Sequence, residues 1–558
     1  MTLMTSASRP PGLPAPLGPR SAGKFRAPAE GQALVEPSID RVGEALRFNR
    51  ALGSDEDFDC QGRSRRQLAA HARRELVRLA RAYSGRYRDL PDEAPADAPL
   101  LLAGHQPELF HAGVWFKNYL LDSLARRHAG IALNLVVDND RCKAASLRVP
   151  SGTVESPRRE TVLLDVPGDV IAWEERAIVD PRTFSAAADA VAQKLRPLIV
   201  EPLIGELWPL VVERGAASGR LGAALAEGRH AYEGRLGLAT LELPISRVAE
   251  LEAFAWFAAH LLAQLPRVWE VYNSALAEHR RDEHIRSATH PVPDLAMSDD
   301  WLEAPLWIWT RDDPRRRPLF VRQSGDEILL SDRAAWQAAL PLSPEGEASE
   351  AVARLRELAQ RGVRIRPRAL LTTMFARLFL GDLFIHGIGG AKYDQLTDLL
   401  IARLFGLTPP QFVVATATFR LPIAGKPPCR GRSLSTEQHL RDVRFHPEKH
   451  IGVMGPGAYR SPESQSLVEL KQRWIDRSRR ERDGEPLTLD ERRLRHAEIS
   501  RANAGLAAAA SEGLGSPLSW PNRAASRNED VLCSREYSFS LYPRDWLVPR
   551  LRAAAAAD

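Results

Sequence analysis

Residues 100–140 constrain this chain more than any other stretch. Leu100-Leu101-Leu102-Ala103 is a short apolar run of buried-strand type. A loop follows, Gly104-His105-Gln106-Pro107-Glu108-Leu109-Phe110-His111-Ala112-Gly113. Residues 114–128 then read as a helix, with apolar side chains at 116, 119, 120 and 124 on one face, and Gly130 stops it. Residues 132–137 form a second strand that ends in Asp138-Asn139-Asp140. Strand, loop, helix and strand in so short a span make a βαβ unit. Such a unit requires a parallel sheet in an α/β domain.

A second unit repeats the pattern. Residues 378–385 read as a strand, His386-Gly387-Ile388-Gly389-Gly390 as a loop, and the following residues to Phe405 as a helix closed by Gly406. A strand over 411–421 succeeds it. Between the units, 175–285 alternate helical stretches, including 251–265 and 268–278. Residues 303–309, 318–323 and 327–331 are short strands, the last two joined at Ser324-Gly325-Asp326 as a hairpin. Residues 39–87 are helical, with an Arg-studded face around Arg65, Arg66, Arg73 and Arg74. Residues 464–513 are helical and highly charged, broken at Gly484-Glu485-Pro486, which predicts an antiparallel helical hairpin. Residues 1–32 are rich in Pro, Ala, Gly and Ser and read as a disordered tail.

The whole chain has 558 residues, three or four domains' worth. Hydrophobic residues make up 44% and charged residues 26%, which excludes a wholly disordered chain. The apolar runs are too short to span a membrane. Of the basic residues, 68 are Arg and only 8 are Lys, and net charge is +5. That ratio fits GC-rich coding better than a basic surface selected for nucleic acid. Cys60, Cys142, Cys429 and Cys533 lie far apart with no CxxC, so neither a zinc ribbon nor a thioredoxin-like pair is encoded. They do not make a disulfide scaffold, and a reducing cytoplasm fits. Prolines interrupt 1–20 where a secretory signal would be apolar.

Residues 104–113 are the first candidate site. Ligands of parallel sheets bind at the carboxyl ends of strands, where the next helix aims free N–H groups. His105 and His111 can donate to phosphate oxygens or move protons near neutral pH. The loop resembles the His-x-Gly-His element of nucleotidyltransferases, although Val114 stands where the second histidine would be. The competing reading is a tight turn with hydrogen-bonded histidines. The second candidate is His386, Gly387, Gly389, Gly390, Lys392, Tyr393 and Asp394, where glycines allow a close approach of ligand to backbone. It is neither a dinucleotide fingerprint nor a P-loop. Lysine is so scarce that Lys117, Lys143 and Lys392 together stand out. An ammonium kept among so many arginines suggests a tunable charge. Asp138 and Asp140 either orient an amine or cap a helix. His446 and His450 have a helical metal-ligand spacing but fit no known metal motif, and read as a surface turn. Cys142 beside Lys143 reads as a buried structural thiol, with thiolate character as the alternative. The Arg-rich stretch 473–495 is interleaved with acids and suits a solvated hairpin.

These segments resemble the bacillithiol biosynthesis cysteine-adding enzymes. GHQPELFHAGVWFKNYL is similar to that family's Gly-Gln-Gln-x-x-Leu-Phe-x-Gly loop and helix. VVDND resembles its acidic turn, and RPLFVRQSGDEILL its short β segment. IRPRALLTTMFARLFLGDLFIHGIGGAKYDQL resembles its Leu-Arg-Pro…Gly-Gly-Pro-x-Glu-x-x-Tyr region. His105 replaces a Gln of the family, Asn139 stands where His is common, and Lys392 departs from the acidic pattern. The resemblance implies an α/β protein with a Rossmann-like parallel sheet core, an inserted smaller α/β subdomain and a C-terminal helical hairpin, a coiled coil supporting a homodimer. The family reaction joins cysteine to the amine of a glucosaminyl-malate.

The expected organisation is a tail over 1–32 and a core over 33–460 with an insertion around 290–360. A hairpin over 461–515 and a C-terminal segment over 516–558 complete it. The expected function is a carbon–nitrogen ligase joining an activated amino acid, cysteine among the candidates, to an amine-bearing small molecule in the cytoplasm. His105, Gln106, His111 and Lys117 would contact phosphate, with ATP or ADP as candidate cofactor. Asp138 or Asp140 would hold the amine, and the glycine loop with Lys392 and Tyr393 the second substrate. No metal and no membrane are expected. Both loops should line one concave pocket. The alternative is a non-catalytic nucleotide- or RNA-binding protein with a nucleotidyltransferase-like fold.

Overall fold

In the computed structural model, six strands form a central sheet. They are β1 (Ala33–Glu36), β2 (Leu100–His105), β3 (Ile131–Val136), β4 (Leu241–Pro244), β5 (Leu383–His386) and β6 (Phe412–Ala417). The structure describes residues 25–285, 287, 289–325, 327–426, 429, 445, 462–482, 488–512 and 523–557. The strand order is β1-β6-β5-β2-β3-β4. All neighbours are parallel except β1, which pairs antiparallel with β6 at the edge. The sheet is therefore mixed and mostly parallel.

Period-two alternation divides the apolar side chains between two cores. Leu100, Leu102, Leu133, Leu135 and Phe384 face one side, with helix Ile388–Phe405 and helix Arg65–Ser84 packed there. Leu101, Ala103, Ala132 and Ile385 face the other, beneath helix Ala112–Arg127. The helices after β2 and β5 thus lie on opposite faces, although these strands are neighbours. The winding direction of the sheet reverses between them.

Several boundaries differ from the sequence reading. β2 continues through Gly104 and His105, so the first loop starts at Gln106. β5 begins only at Leu383, because Ala376–Leu380 form a π-helical turn whose apolar run reads like a strand. The residues of Ile388-Gly389-Gly390 are already helical, and only Gly387 stands outside as the cap. The insertion is an antiparallel sheet, Trp301–Thr310, Arg317–Ser324, Glu327–Ser331, Gln337–Leu340 and Val363–Pro367, with one helix, Ser349–Gln360, rather than an α/β unit. Its hairpin at Ser324-Gly325 is as expected. A separate hairpin, Ser146–Gly152 with Pro157–Leu163, and the edge strand β1 were not foreseen.

Two compact units result: one of residues 1–425 and 531–558, the other of 426–530. The division falls at 425/426 and 530/531. In the second unit, helices Pro462–Arg482 and Leu489–Glu512 run antiparallel, since Trp474 bonds Glu498 and Leu467 meets Gly505. In the first, helix Arg544–Ala556 returns to pack on helix Ala112–Arg127. Residues 25–32 are tied down through Gly31 to Thr418 and Glu30 to Arg420. Residues 1–24, the expected break at 484–486 and the histidines at 446 and 450 lie outside the described residues. No described helix is long and apolar enough to cross a membrane. Cys60 and Cys142 are free, buried thiols.

Gly113 tests how tightly helix Ala112–Arg127 must approach the sheet. A Cβ there would sit 2.2 Å from the Ala417 carbonyl oxygen. Gly113→Ala is expected to destabilise the protein by about 1–3 kcal/mol. A Cβ at Gly53, in helix Val42–Asp55, would meet nothing within 4 Å. Gly53→Ala is expected to stabilise by about 0.4–1 kcal/mol. Urea unfolding of both variants measures the contrast, and equal effects would contradict the packing.

Candidate functional site

β2 and β5 run side by side, with Leu101 opposite Leu383 and Ala103 opposite Ile385. Their carboxyl ends therefore carry His105 and His386 to one edge of the sheet. The helices that follow them both start at that edge. Lys117, one turn into its helix, points back and donates from Nζ to the Gly104 carbonyl at 2.8 Å. Burial lowers this ammonium to about 8.

Three histidines feel that charge. Burial, then Arg229 and Lys117, hold His105 well below the usual imidazole range. Burial brings His111 down to about 4, with Arg535 and Lys117 adding to it against Glu536. His386 is lowered by burial, with Lys117 and Arg377 adding, against the pull of Asp394. All three are neutral near pH 7. His111 also takes the competing role, since its Nδ1 accepts from the Gly113 N–H at 3.1 Å as a helix cap. His386 Nε2 lies 2.8 Å from Asp394, whose carboxylate also meets Arg377 at 2.7 Å and Thr373 at 2.6 Å. Burial raises Asp394, but His386 and Arg377 outweigh it and hold the carboxyl well below its ordinary range.

The acidic turn after β3 belongs to the same edge. Asp138 is buried and accepts from the Ser246 N–H at 2.9 Å and from the Ser246 hydroxyl. Burial, then the nearby Glu174, push it up to about 7, against the Ser246 bonds and Arg366. Asn139 donates to the Pro367 carbonyl at 2.8 Å, and Asp140 meets Arg316 at 3.1 Å. Gln106 reaches Asp140 at 3.5 Å, the limit of a hydrogen bond. Arg316 and Arg368 flank the Trp307 ring at 4.3 and 4.0 Å.

Of the residues read from sequence, the structure gathers His105, His111, Lys117 and His386 about one ammonium, and Gln106, Asp138 and Asp140 beside it. Lys392 is exposed, and Tyr393 packs against His290 with ring centroids 6.2 Å apart. No hydrogen bond or ion pair among the described residues joins Lys392 or Tyr393 to the group. Cβ atoms at Gly387 and Gly389 would meet nothing within 4 Å, so that surface is open, while Gly390 faces His386. Cys142 is buried, and burial pushes its thiol up to about 11, against the thiolate reading. Clefts of about 940 and 510 Å³ lie elsewhere, and neither is bounded by 104–113 or 386–394. Arg316, just before strand Arg317–Ser324, donates to the Asn139 carbonyl, and Asn139 donates to the Pro367 carbonyl, so the antiparallel sheet meets the turn 138–140.

Sequence reasoning missed Ser246, Glu174, Arg316 and Trp307, which no local pattern links to the loops. Arg366 and Arg368 lie in IRPRALL, quoted above for the resemblance, and that was their only signal. It also missed a buried network behind Lys117. One Glu233 oxygen accepts from Trp115 at 2.7 Å, Asn118 at 2.7 Å and Arg229 at 2.8 Å. Arg229 also bonds Glu242 at 2.6 Å. His230, Glu233 and Glu242 offer three ligand atoms within 4.8 Å of one another. Arg229 already supplies the cation between the two carboxylates, and Tyr87 lies 2.9 Å from His230 Nδ1. The set reads as a buried ion network rather than a metal centre.

No protein-family model matches the chain, and no curated protein matches it. The resemblance stated above therefore rests on the quoted segments.

Two outcomes follow from the geometry. An unfolded Asp ionises near pH ~4, whereas native Asp138 holds its proton to about 7. The native state binds more protons in that window, so this group makes stability fall as pH rises from about 4 to about 7. Asp138→Asn should remove that part of the slope in urea unfolding at several pH values. An unchanged slope would exclude Asp138 as its source. Arg229→Met would leave Glu233 and Glu242 buried without a cation, at a cost of about 3–5 kcal/mol. A loss below ~1 kcal/mol by the same measurement would contradict the network.

Proposed function

We propose that the chain is a carbon–nitrogen ligase-like enzyme that joins an activated carboxylate to an amine-bearing small molecule. The proposal includes a Rossmann-like core, an inserted connective sheet and a coiled coil that supports a homodimer. One observation carries it: the winding reverses between β2 and β5, the strands whose following residues were singled out. In open α/β sheets, ligands bind outside the carboxyl ends of strands at such a switch point.

The groups there suit the chemistry. Lys117, at about 8, and Asp138, at about 7, are moved from opposite directions towards neutrality. An ionised Asp138 takes the proton from the attacking amine. The amide bond forms as the acyl–phosphate bond breaks. The leaving phosphate gains the Lys117 ammonium. Neutral His105 and His386 serve as hydrogen-bonding groups for substrate. The segments that resemble the cysteine-adding enzymes favour cysteine as the amino acid and ATP or ADP as the nucleotide.

Calorimetry of the folded chain with ATP, ADP, cysteine and amino sugars tests the reading. Binding of a nucleotide and of an amine is expected. Lys117→Met should weaken nucleotide binding at least tenfold. It should also raise stability at pH 7, because the buried native ammonium is penalised there. A folded protein that binds none of the four would end the proposal.

A further inference from the structure

The opposite edge of the sheet holds a feature that the proposed reaction does not use. A cleft of about 940 Å³ opens at the amino ends of β2, β3 and β4. That volume lies within the range of small-molecule sites. One wall is helix Arg65–Ser84, which carries six arginines and a single glutamate. The cleft's apolar lining includes Leu52, Val77, Ile131 and Leu407.

Most of the cleft's arginines have structural partners. Arg65 donates to the carbonyls of Gly53 and Glu56. Arg73 pairs with Asp382, and Arg81 donates to the Pro91 carbonyl at 3.1 Å and meets Glu93 at 3.6 Å. These bonds answer carbonyls and acids that the fold leaves there. Arg74 and Arg78 are different. Both line the cleft, both are exposed, and neither has a hydrogen-bond or ion-pair partner among the described residues. They stand four residues apart on one helix, so their side chains are neighbours and repel. An exposed helical face usually mixes signs to relieve such repulsion. Here the nearby acids Asp92, Glu93 and Asp97 sit on 91–98 across the cleft, and Glu93 is directed to Arg81.

We propose that this cleft is a second ligand site, for an organic anion with an apolar body. Its charged head, a phosphate or a carboxylate, bridges Arg74 and Arg78. The planar guanidinium fork matches both heads, and two forks one turn apart can share one head. The body lies along Val77, Leu52 and Leu407. The site is separate from the carboxyl edge, and the inference does not depend on the ligase reading.

Calorimetry on the full chain tests it with three probes: inorganic pyrophosphate, dodecyl phosphate and dodecanoate. At least one of the two organic anions should bind, with affinity that falls as salt rises. The one that binds identifies the head. Arg74→Glu with Arg78→Glu should weaken that binding at least tenfold, and the milder Arg74→Gln with Arg78→Gln should weaken it less. Since neither arginine has a partner to lose and the two repel, neither double variant should fall below the wild-type thermal midpoint. Lys117→Met should bind the same anion as wild type does, which separates this site from the carboxyl edge. Failure of both organic anions to bind overturns the proposal, as does equal binding by wild type and the Glu variant. Binding of pyrophosphate alone overturns the apolar part of it.

Discussion

Asn49 and Asp382 tie together strands that the chain delivers from far apart. The Asp382 carboxylate accepts the Leu100 N–H at 2.8 Å and pairs with Arg73. Asn49 donates to the carbonyls of Asp382 at 2.7 Å and Gln411 at 2.8 Å, and accepts from the Gln411 N–H at 2.6 Å. These bonds meet at the amino ends of β2, β5 and β6. A parallel sheet with so long an excursion between β2 and β5 bears a loop-closure cost before pairing returns anything. Polar groups satisfied only in the correct alignment hold the register, because a slip would bury them without partners. The meeting of the two candidate loops at the other edge depends on that register.

Burial then sets the chemistry of that edge. Lys117 and His105 lie beneath packed helices, and desolvation is the largest influence on both. Behind them, Glu233 draws Trp115 and Asn118 of the same helix onto one carboxylate oxygen. The helix that carries Lys117 is therefore clamped on either side of it in sequence. Burial pushes Glu242 up to about 8, against Arg229, with Glu233 adding to the push. A network with one guanidinium for two carboxylates is costly to bury. Its effect on the fold is positional: one Glu233 oxygen holds Trp115, Asn118 and Arg229 together.

The βαβ unit was legible because its strands are apolar, its helix is periodic and glycine ends it. The unit at 383–417 was legible only in outline. Leu378-Phe379-Leu380 is apolar enough to pass for strand, yet it forms a π-turn that buries Phe379 against Phe257. Two glycines at 389 and 390 suggested a loop, but the Ala391 N–H bonds the Gly387 carbonyl at 3.0 Å and the helix starts ahead of them. β1 was hidden because it is four residues long and finds its partner nearly four hundred positions away. The candidate site divides in the same way. Residues on the βα loops could be read from position alone. Ser246, Glu174 and Arg316 could not, because only the folded chain brings them to Asp138 and Asp140. The contact that the antiparallel sheet makes with the turn 138–140 was equally invisible.

Lysine scarcity gives the strongest link between sequence and site, once structure separates the three residues it pointed to. Lys143 and Lys392 are exposed, where an arginine would serve equally well. Lys117 is buried against the Gly104 carbonyl. A guanidinium at that position would stay charged at every attainable pH and would need more room for its fork. An ammonium fits the single carbonyl and, with burial, comes to about 8, where it can gain or give up its proton near neutrality. Lys471 is buried in the same way, its Nζ bonded to the Phe445 carbonyl at 2.7 Å, so what sets Lys117 apart is its place at the strand edge, where a compact charge that can be switched off suits the proposed chemistry. Structural packing alone gives no such preference, since a methionine would fill the same space without the cost of burying charge.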